Sequence, residues 1–138
     1  RRLAEVKPDE IALADTIGVA VPDEVSHLLR QVGAAVGPDV PLRVHFHNTR
    51  NTGIANADAA VKAGVTRIDA SIGGIGGCPF APRATGNIAT EDLLYLLGRS
   101  GRKPPVDLEA TIAVAHWLES HLGHQVPGLV NRAGPFPG

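Results

Sequence analysis

The 138-residue chain is long enough to bury one sizeable core. Its residues are 43% hydrophobic but only 4% aromatic, so Ala, Val, Ile and Leu must build that core, as in layered α/β proteins. A formal net charge of −1 without a basic run argues against a nucleic-acid footprint or an electrostatic membrane anchor. No apolar run approaches the roughly 20 residues of a membrane span, and a single cysteine excludes an internal disulfide, which fits a reducing compartment.

The chain has no methionine, and Arg1 to Val6 reads as the tail of a helix already under way, so a fragment of a longer protein is expected. Lys7-Pro8-Asp9-Glu10 is a turn, followed by a short buried-type strand, Ile11 to Ala14, ending at Asp15-Thr16-Ile17-Gly18. A carboxylate and a hydroxyl at the carboxyl end of such a strand stand where open α/β sheets and barrels place functional groups. Alternatively, Asp15 caps the turn that follows. Pro22 suits the first turn of a helix, with Asp23 and Glu24 favourable against its dipole. Val25, Leu28, Leu29, Val32 and Val36 then recur at helical spacing until Gly37-Pro38-Asp39. His27 reads as a rim histidine of that helix.

The next strand runs from Val40 to Asn48 and carries His45 and His47. Strand geometry alternates side chains, so the two imidazoles project to one face, roughly 6–7 Å apart along the strand. Such a pair can ligate a metal or can be structural; polar Asn48-Thr49-Arg50-Asn51 behind it marks a mouth. Gly53 to Ala63 reads as a small-residue helix with Ile54, Ala57, Ala60 and Val61 inward. A third strand, Val65 to Ile72, leads into the glycine-rich loop Gly73-Gly74-Ile75-Gly76-Gly77-Cys78-Pro79-Phe80-Ala81-Pro82, continuing through Thr85-Gly86-Asn87. That much glycine weakens helix and strand alike, and a loop carrying one thiol is a usual place for chemistry.

Thr90 is expected to cap a helix with Glu91 and Asp92 in its first turn, where Glu91 either stabilises the start or assists a metal site. Gly98 to Pro105 is a linker. Asp107 then caps a last helix striped by Leu108, Ile112, Ala115, Leu118 and Leu122 and closed by Gly123. His116, His121 and His124 near its end could form a zinc site or simply meet the helix dipole. Pro127 to Gly138 reads as irregular. Strands alternating with helices imply parallel βαβ crossovers. Three such units are about three-eighths of a (β/α)8 barrel, which typically needs about 250 residues.

Four stretches carry a family likeness: Leu-Ala-Asp-Thr-Ile-Gly (13–18), Val-His-Phe-His-Asn-Thr (44–49), Gly-Gly-Ile-Gly-Gly-Cys-Pro-Phe-Ala (73–81) and Ala-Thr-Gly-Asn-Ile-Ala-Thr-Glu-Asp (84–92). In order and separation they resemble the carboxyl-terminal half of the 3-hydroxy-3-methylglutaryl-CoA lyases, metal-dependent TIM-barrel carbon–carbon lyases. The resemblance implies that residues 1–138 form the C-terminal part of a (β/α)8 barrel, about three βα units and a C-terminal helix, lacking the N-terminal half. It implies His45, His47 and Asn87 as ligands of a divalent cation, Mg2+ or Mn2+. It further implies Cys78 as a proton donor or acceptor near the cleaved bond, Asp15 as a supporting acid, His45 as a proton relay and Thr16 beside the substrate. The family's Arg-Asp pair at the first strand end, whose Asp is a metal ligand, has no match here.

The implied substrate is an acyl-CoA, with neither nucleic acid nor membrane as partner and a homo-oligomer left open. The implied compartment is the cytoplasm of a bacterial-type enzyme or a mitochondrial matrix. Mixed oxygen and imidazole ligation suits a hard cation with open positions better than a closed zinc site. Claisen-type synthases, such as isopropylmalate or homocitrate synthase, share His-x-His-Asn and the barrel; the Gly-Gly-Cys-Pro loop looks like the lyase. A related, longer branched acyl-CoA is a further option within the lyases. A different reading is a truncated, non-catalytic interaction piece, because three βα units leave an open sheet edge and an incomplete metal site.

Overall fold

The computed structural model of the chain describes residues 2–77 and 86–136. The elements are α1 (Arg2–Glu5), β1 (Ile11–Asp15), α2 (Pro22–Val36), β2 (Leu42–Phe46), α3 (Gly53–Lys62) and β3 (Arg67–Asp69). A 3-10 turn (Ile72–Gly74), α4 (Thr90–Arg99), α5 (Leu108–Leu122) and α6 (Val130–Ala133) follow. The three strands pair in parallel in the order β1-β2-β3. β1 lies on β2 from Ile11 beside Leu42 to Asp15 beside Phe46, and β2 lies on β3 from Arg43 beside Arg67 to His45 beside Asp69. The α/β alternation expected from the sequence is therefore present. Among the described residues no helix is long and apolar enough to cross a membrane.

The two-residue period of a strand sorts these side chains onto two faces. Val44 and Phe46 point into a cluster with Val25 and Leu29 of α2, Ala57 and Ala60 of α3, and Ile88 and Leu93. Full burial of one such large apolar side chain is worth roughly 1.5–3 kcal/mol, and small alanines on α3 let that helix lie close to the sheet. The alternate residues Ala12, Ala14, Arg43, His45, Arg67 and Asp69 belong to the opposite face, where both alanines are exposed. At the amino-terminal end of this second face, Glu10 bonds Arg43 and Arg67, each at 2.6 Å, and Arg43 reaches Asp69 at 3.4 Å. Each pair is partly exposed and individually weak, yet together they tie all three strands at their starts.

Some boundaries differ from expectation. The third strand is three residues long, because the chain leaves the ladder at Ala70 and turns through Gly73 and Gly74, both at positive φ. Thr90 is the first helical residue of α4; the cap position is Ala89, which has no side-chain hydrogen bond to offer. Leu28 and Leu122 are exposed despite their helical spacing. The tail is not wholly irregular: Asp92 accepts from the Leu129 and Val130 N–H groups at 3.0 and 2.7 Å and so caps α6. Asp107 caps α5 as expected, accepting from Ala110 N–H at 2.7 Å, and Gly123 closes that helix in the left-handed conformation.

The site depends most on Gly86–Ala89, which enters between the carboxyl ends of β2 and β3. Asn48 N–H donates to Gly86 O at 3.1 Å and Ile88 N–H to Phe46 O at 3.2 Å. Ser71 N–H donates to Ile88 O at 3.1 Å and Thr90 N–H to Ser71 O at 2.9 Å. Ile88 is thereby fully buried, and its methyl would lie 2.5 Å from a Cβ placed on Gly53, with His47 O at 2.9 Å. Alanine in a helix ordinarily gains up to about 1 kcal/mol over glycine, but forced overpacking costs about 1–3 kcal/mol. Gly53→Ala is therefore expected to destabilise the protein by about 1–2 kcal/mol in chemical denaturation; a stabilised variant would show that the Ile88 contact yields freely.

Candidate metal centre

β2 delivers the two histidines as its alternation requires. Their ring centroids are 5.1 Å apart with the planes at 71°, an edge-to-face contact on one side of the strand. His45 is half-buried, while His47 is 4% exposed and its Nδ1 has no hydrogen-bond partner among the described residues. Burial first, and the neighbouring His45 second, hold the His47 imidazole below its usual pKa, with Asp15 opposing them. At neutral pH His47 is therefore a neutral imidazole, the form that ligates a metal.

Asn87 stands directly across from His47 in an isolated antiparallel bridge. Its Nδ2 donates to Ile75 O at 2.9 Å, which fixes the amide and leaves the buried Oδ1 without a partner among the described residues. Gly76 allows this approach: it sits at φ +103°, and a Cβ there would come within 2.8 Å of Asn87 Nδ2. A buried imidazole nitrogen and a buried amide oxygen that both lack partners are costly unless something meets them. Together with the second imidazole they form a mixed nitrogen and oxygen donor set that fits a divalent cation with positions left open. Among the described residues no group of three or more His, Cys, Asp or Glu could hold a metal, so the set offers two imidazoles and one amide.

The other predicted residues fall as follows. Asp15 is the turn cap: its two oxygens accept from Val19 and Ala20 N–H, both at 3.0 Å. Thr16 is exposed in that same turn. Cys78 lies outside the described residues, as do Pro79 to Thr85. His116 Nε2 is 2.7 Å from Asn131 O, His121 Nδ1 2.8 Å from Trp117 O, and His124 Nδ1 2.9 Å from Gln125 O, so each is engaged with nearby backbone. His27 is exposed on α2.

Glu91 is where the sequence reading was furthest from the structure. It is fully buried, and its Oε2 accepts from Gly73 N–H at 3.0 Å, so it anchors the glycine turn and does not merely complement the helix dipole. Gly128 N–H donates to Gly73 O at 2.9 Å, and a Cβ on Gly73 would strike Val126, so the carboxyl-terminal segment forms the floor beneath this turn. Burial is the main cause of a Glu91 pKa raised above the ordinary carboxylate value, partly offset by the Gly73 hydrogen bond. A carboxyl group that holds its proton more tightly when folded loses stability as pH rises from its unfolded pKa through the folded one. Replacement of Glu91 by Gln removes that titration. The difference in unfolding free energy, Glu91→Gln minus wild type, should thus move in favour of Gln as pH rises from about 4.5 to 8. Denaturant titrations across that range check the slope; a flat difference would contradict it.

Three kinds of comparison identify the family. The HMGL-like family pattern matches residues 1–118. The (R)-citramalyl-CoA lyase of Chloroflexus aurantiacus is 52% identical over 131 residues, 95% of this chain and 41% of that protein. The hydroxymethylglutaryl-CoA lyase of Pseudomonas mevalonii is 47% identical over 89% of this chain and 40% of its own. An HMG-CoA lyase from Acinetobacter baumannii, solved with coenzyme A and 3-methylmalate, matches with TM-score 0.89 and 42% identity over 96% of this chain and 43% of that one. The HMG-CoA lyase of Bacillus subtilis matches with TM-score 0.86 and 40% identity, covering 95% and 44%. The chain thus spans about two-fifths of the length of these relatives, and its three parallel strands with their helices correspond to part of their barrel. On this evidence of sequence and fold, the chain belongs to the HMGL-like family of lyases.

Proposed function

We propose that the chain supplies the carboxyl-terminal share of a (β/α)8 enzyme that cleaves a branched 3-hydroxyacyl-CoA by a metal-assisted retro-Claisen reaction. The first substrate proposed is 3-hydroxy-3-methylglutaryl-CoA, giving acetyl-CoA and acetoacetate. The observation that carries this reading is the pairing of His47 and Asn87 across one bridge, each with a buried donor atom that lacks a partner among the described residues. The 52% identity to a citramalyl-CoA lyase favours a second substrate of the same chemistry, citramalyl-CoA, with its shorter acid arm.

His45, His47 and Asn87 would hold the cation, Mg2+ or Mn2+, with further ligands supplied from outside the described residues. When bound, such a cation acidifies the 3-hydroxyl and orients the scissile bond. With its lone-pair nitrogen off the cation, His45 would receive the hydroxyl proton as the C2–C3 bond breaks and C3 becomes a carbonyl. Cys78 donates a proton to C2 of the departing thioester enolate, which completes acetyl-CoA; a thiol of ordinary pKa about 8–9 can serve as that acid. Asp15 acts at one remove, by holding the turn in which Thr16 meets the substrate.

Cation binding and turnover test separate parts of this scheme. Either His47→Ala or Asn87→Ala should lower Mn2+ affinity by at least about tenfold in calorimetry; unchanged binding would remove both from the ligand set. In the N-terminally extended protein, Cys78→Ser should retain the cation yet lose about 100-fold or more in turnover, measured as oxo-acid release from the two thioesters. Comparing this chain with one extended at its N-terminus separates the remaining readings. Turnover by the short form would contradict dependence on further barrel units. Condensation of acetyl-CoA with a 2-oxo acid would favour a synthase. Inactivity of both forms, without cation binding, would favour an interaction piece.

A further inference from the structure

Arg50 follows the histidine-bearing strand, yet its guanidinium turns across the mouth to the neighbouring strand's exit. Its Nη1 donates to Ile17 O and to Gly18 O, both at 2.9 Å. The backbone it grips is already drawn against the same region. Gly18 sits at φ +60°, and a Cβ there would come within 2.7 Å of Thr49 Oγ1 and 3.2 Å of His47 O. The turn is also tied from within, since Gly18 N–H donates to Asp15 O at 3.2 Å and the Asp15 carboxylate accepts from Val19 and Ala20 N–H. From α3, Asn56 Nδ2 donates to Ala20 O at 2.8 Å. Asp15 thus shapes the turn and Asn56 anchors its far end. Arg50 connects its tip to the strand exit that carries His47.

We propose that Arg50 is a positioning residue, a clamp between two strand-end loops that holds the Thr16-bearing turn at a fixed place against the strand exit that carries His47. This deepens the lyase reading and rests on it, because Thr16 matters to catalysis only if an acyl thioester lies over His45 and His47. The chemistry suits the task. A guanidinium stays protonated throughout the working pH range, so the clamp does not titrate. Two carbonyls accepting from one charged donor hold more firmly than neutral hydrogen bonds would. Thr16, which precedes the gripped carbonyls by one and two residues, makes no side-chain hydrogen bond among the described residues and depends on this backbone for its place.

Two variants and two readouts test the clamp. Arg50→Ala should raise amide exchange at Gly18, Val19 and Ala20 by about tenfold, with exchange in the bodies of α2 and α3 unchanged. In turnover of the N-terminally extended protein, the same substitution should raise KM for the acyl thioester by about tenfold while kcat stays within about twofold and Mn2+ affinity is unaltered. Arg50→Lys, which can still donate to both carbonyls, should restore most of both. Unchanged exchange in Arg50→Ala overturns the clamp, and faster exchange with unaltered KM and kcat overturns its positioning role. Failure of Lys to restore KM while it restores exchange would instead make Arg50 a direct substrate contact, which also overturns the proposal. A wild-type, N-terminally extended protein without lyase turnover defeats the function reading, and the exchange measurement alone then decides the clamp.

Discussion

The whole site hangs on four backbone hydrogen bonds that hold Gly86–Ala89 between the carboxyl ends of β2 and β3. Neither strand reaches the rim with its own ladder: β2 ends at Phe46 and β3 at Asp69. The inserted segment continues the hydrogen bonding beyond those ends, buries Ile88 completely, and in the same stroke sets Asn87 opposite His47. Backbone amides and carbonyls removed from water need partners, so the pairing is nearly obligatory once Ile88 enters the core. The placement of Asn87 opposite His47 follows from a packing requirement.

Beneath that segment lies a second layer of support built from polar groups. Glu91 grips Gly73 from the first turn of α4, and Gly128 grips it from the carboxyl-terminal side. Glu119 accepts from Val126 N–H at 3.0 Å, and Asp92 accepts from the first N–H groups of α6. Three carboxylates on two helices thus organise a stretch of chain with little regular structure of its own. The glycine turn is held from below while its far side leads toward the cysteine-bearing residues.

Much of this was legible in the residues and some was not, for physical reasons. The His45 and His47 pairing follows from a period of two, which every strand obeys. The succession of strands and helices follows from apolar spacing and from the Pro22, Gly37, Asp107 and Gly123 punctuation. The insertion of Gly86–Ala89 left no such mark, because hydrogen bonds between segments distant in sequence have no periodicity. Glu91 looked like an ordinary acidic first-turn residue; nothing local distinguishes an exposed carboxylate from one enclosed by a later segment. Arg50 sat among polar loop residues, and its reach to Ile17 and Gly18 depends on how two loops approach in space. Asp15 was readable either as a cap or as an acid of the site, and its carboxylate does hold the turn through the Val19 and Ala20 N–H groups. The family likeness supplied what pattern alone could not, namely which of the polar strand ends belong together.

At the opposite end of the sheet, Arg43 and Arg67 are direct register neighbours, two like charges side by side. Glu10 makes this arrangement tolerable by bonding both, and the Arg67 hydrogen bond above all keeps its carboxyl below the ordinary pKa. Such a depressed acid contributes at neutral pH and is lost as pH falls through its folded value. In strong acid the base of the sheet therefore loses the carboxylate that separates its two guanidinium groups, and at the rim the buried, neutral His47 is driven to charge. Acid thus acts on both poles of the same three strands, through a carboxylate at one and an imidazole at the other.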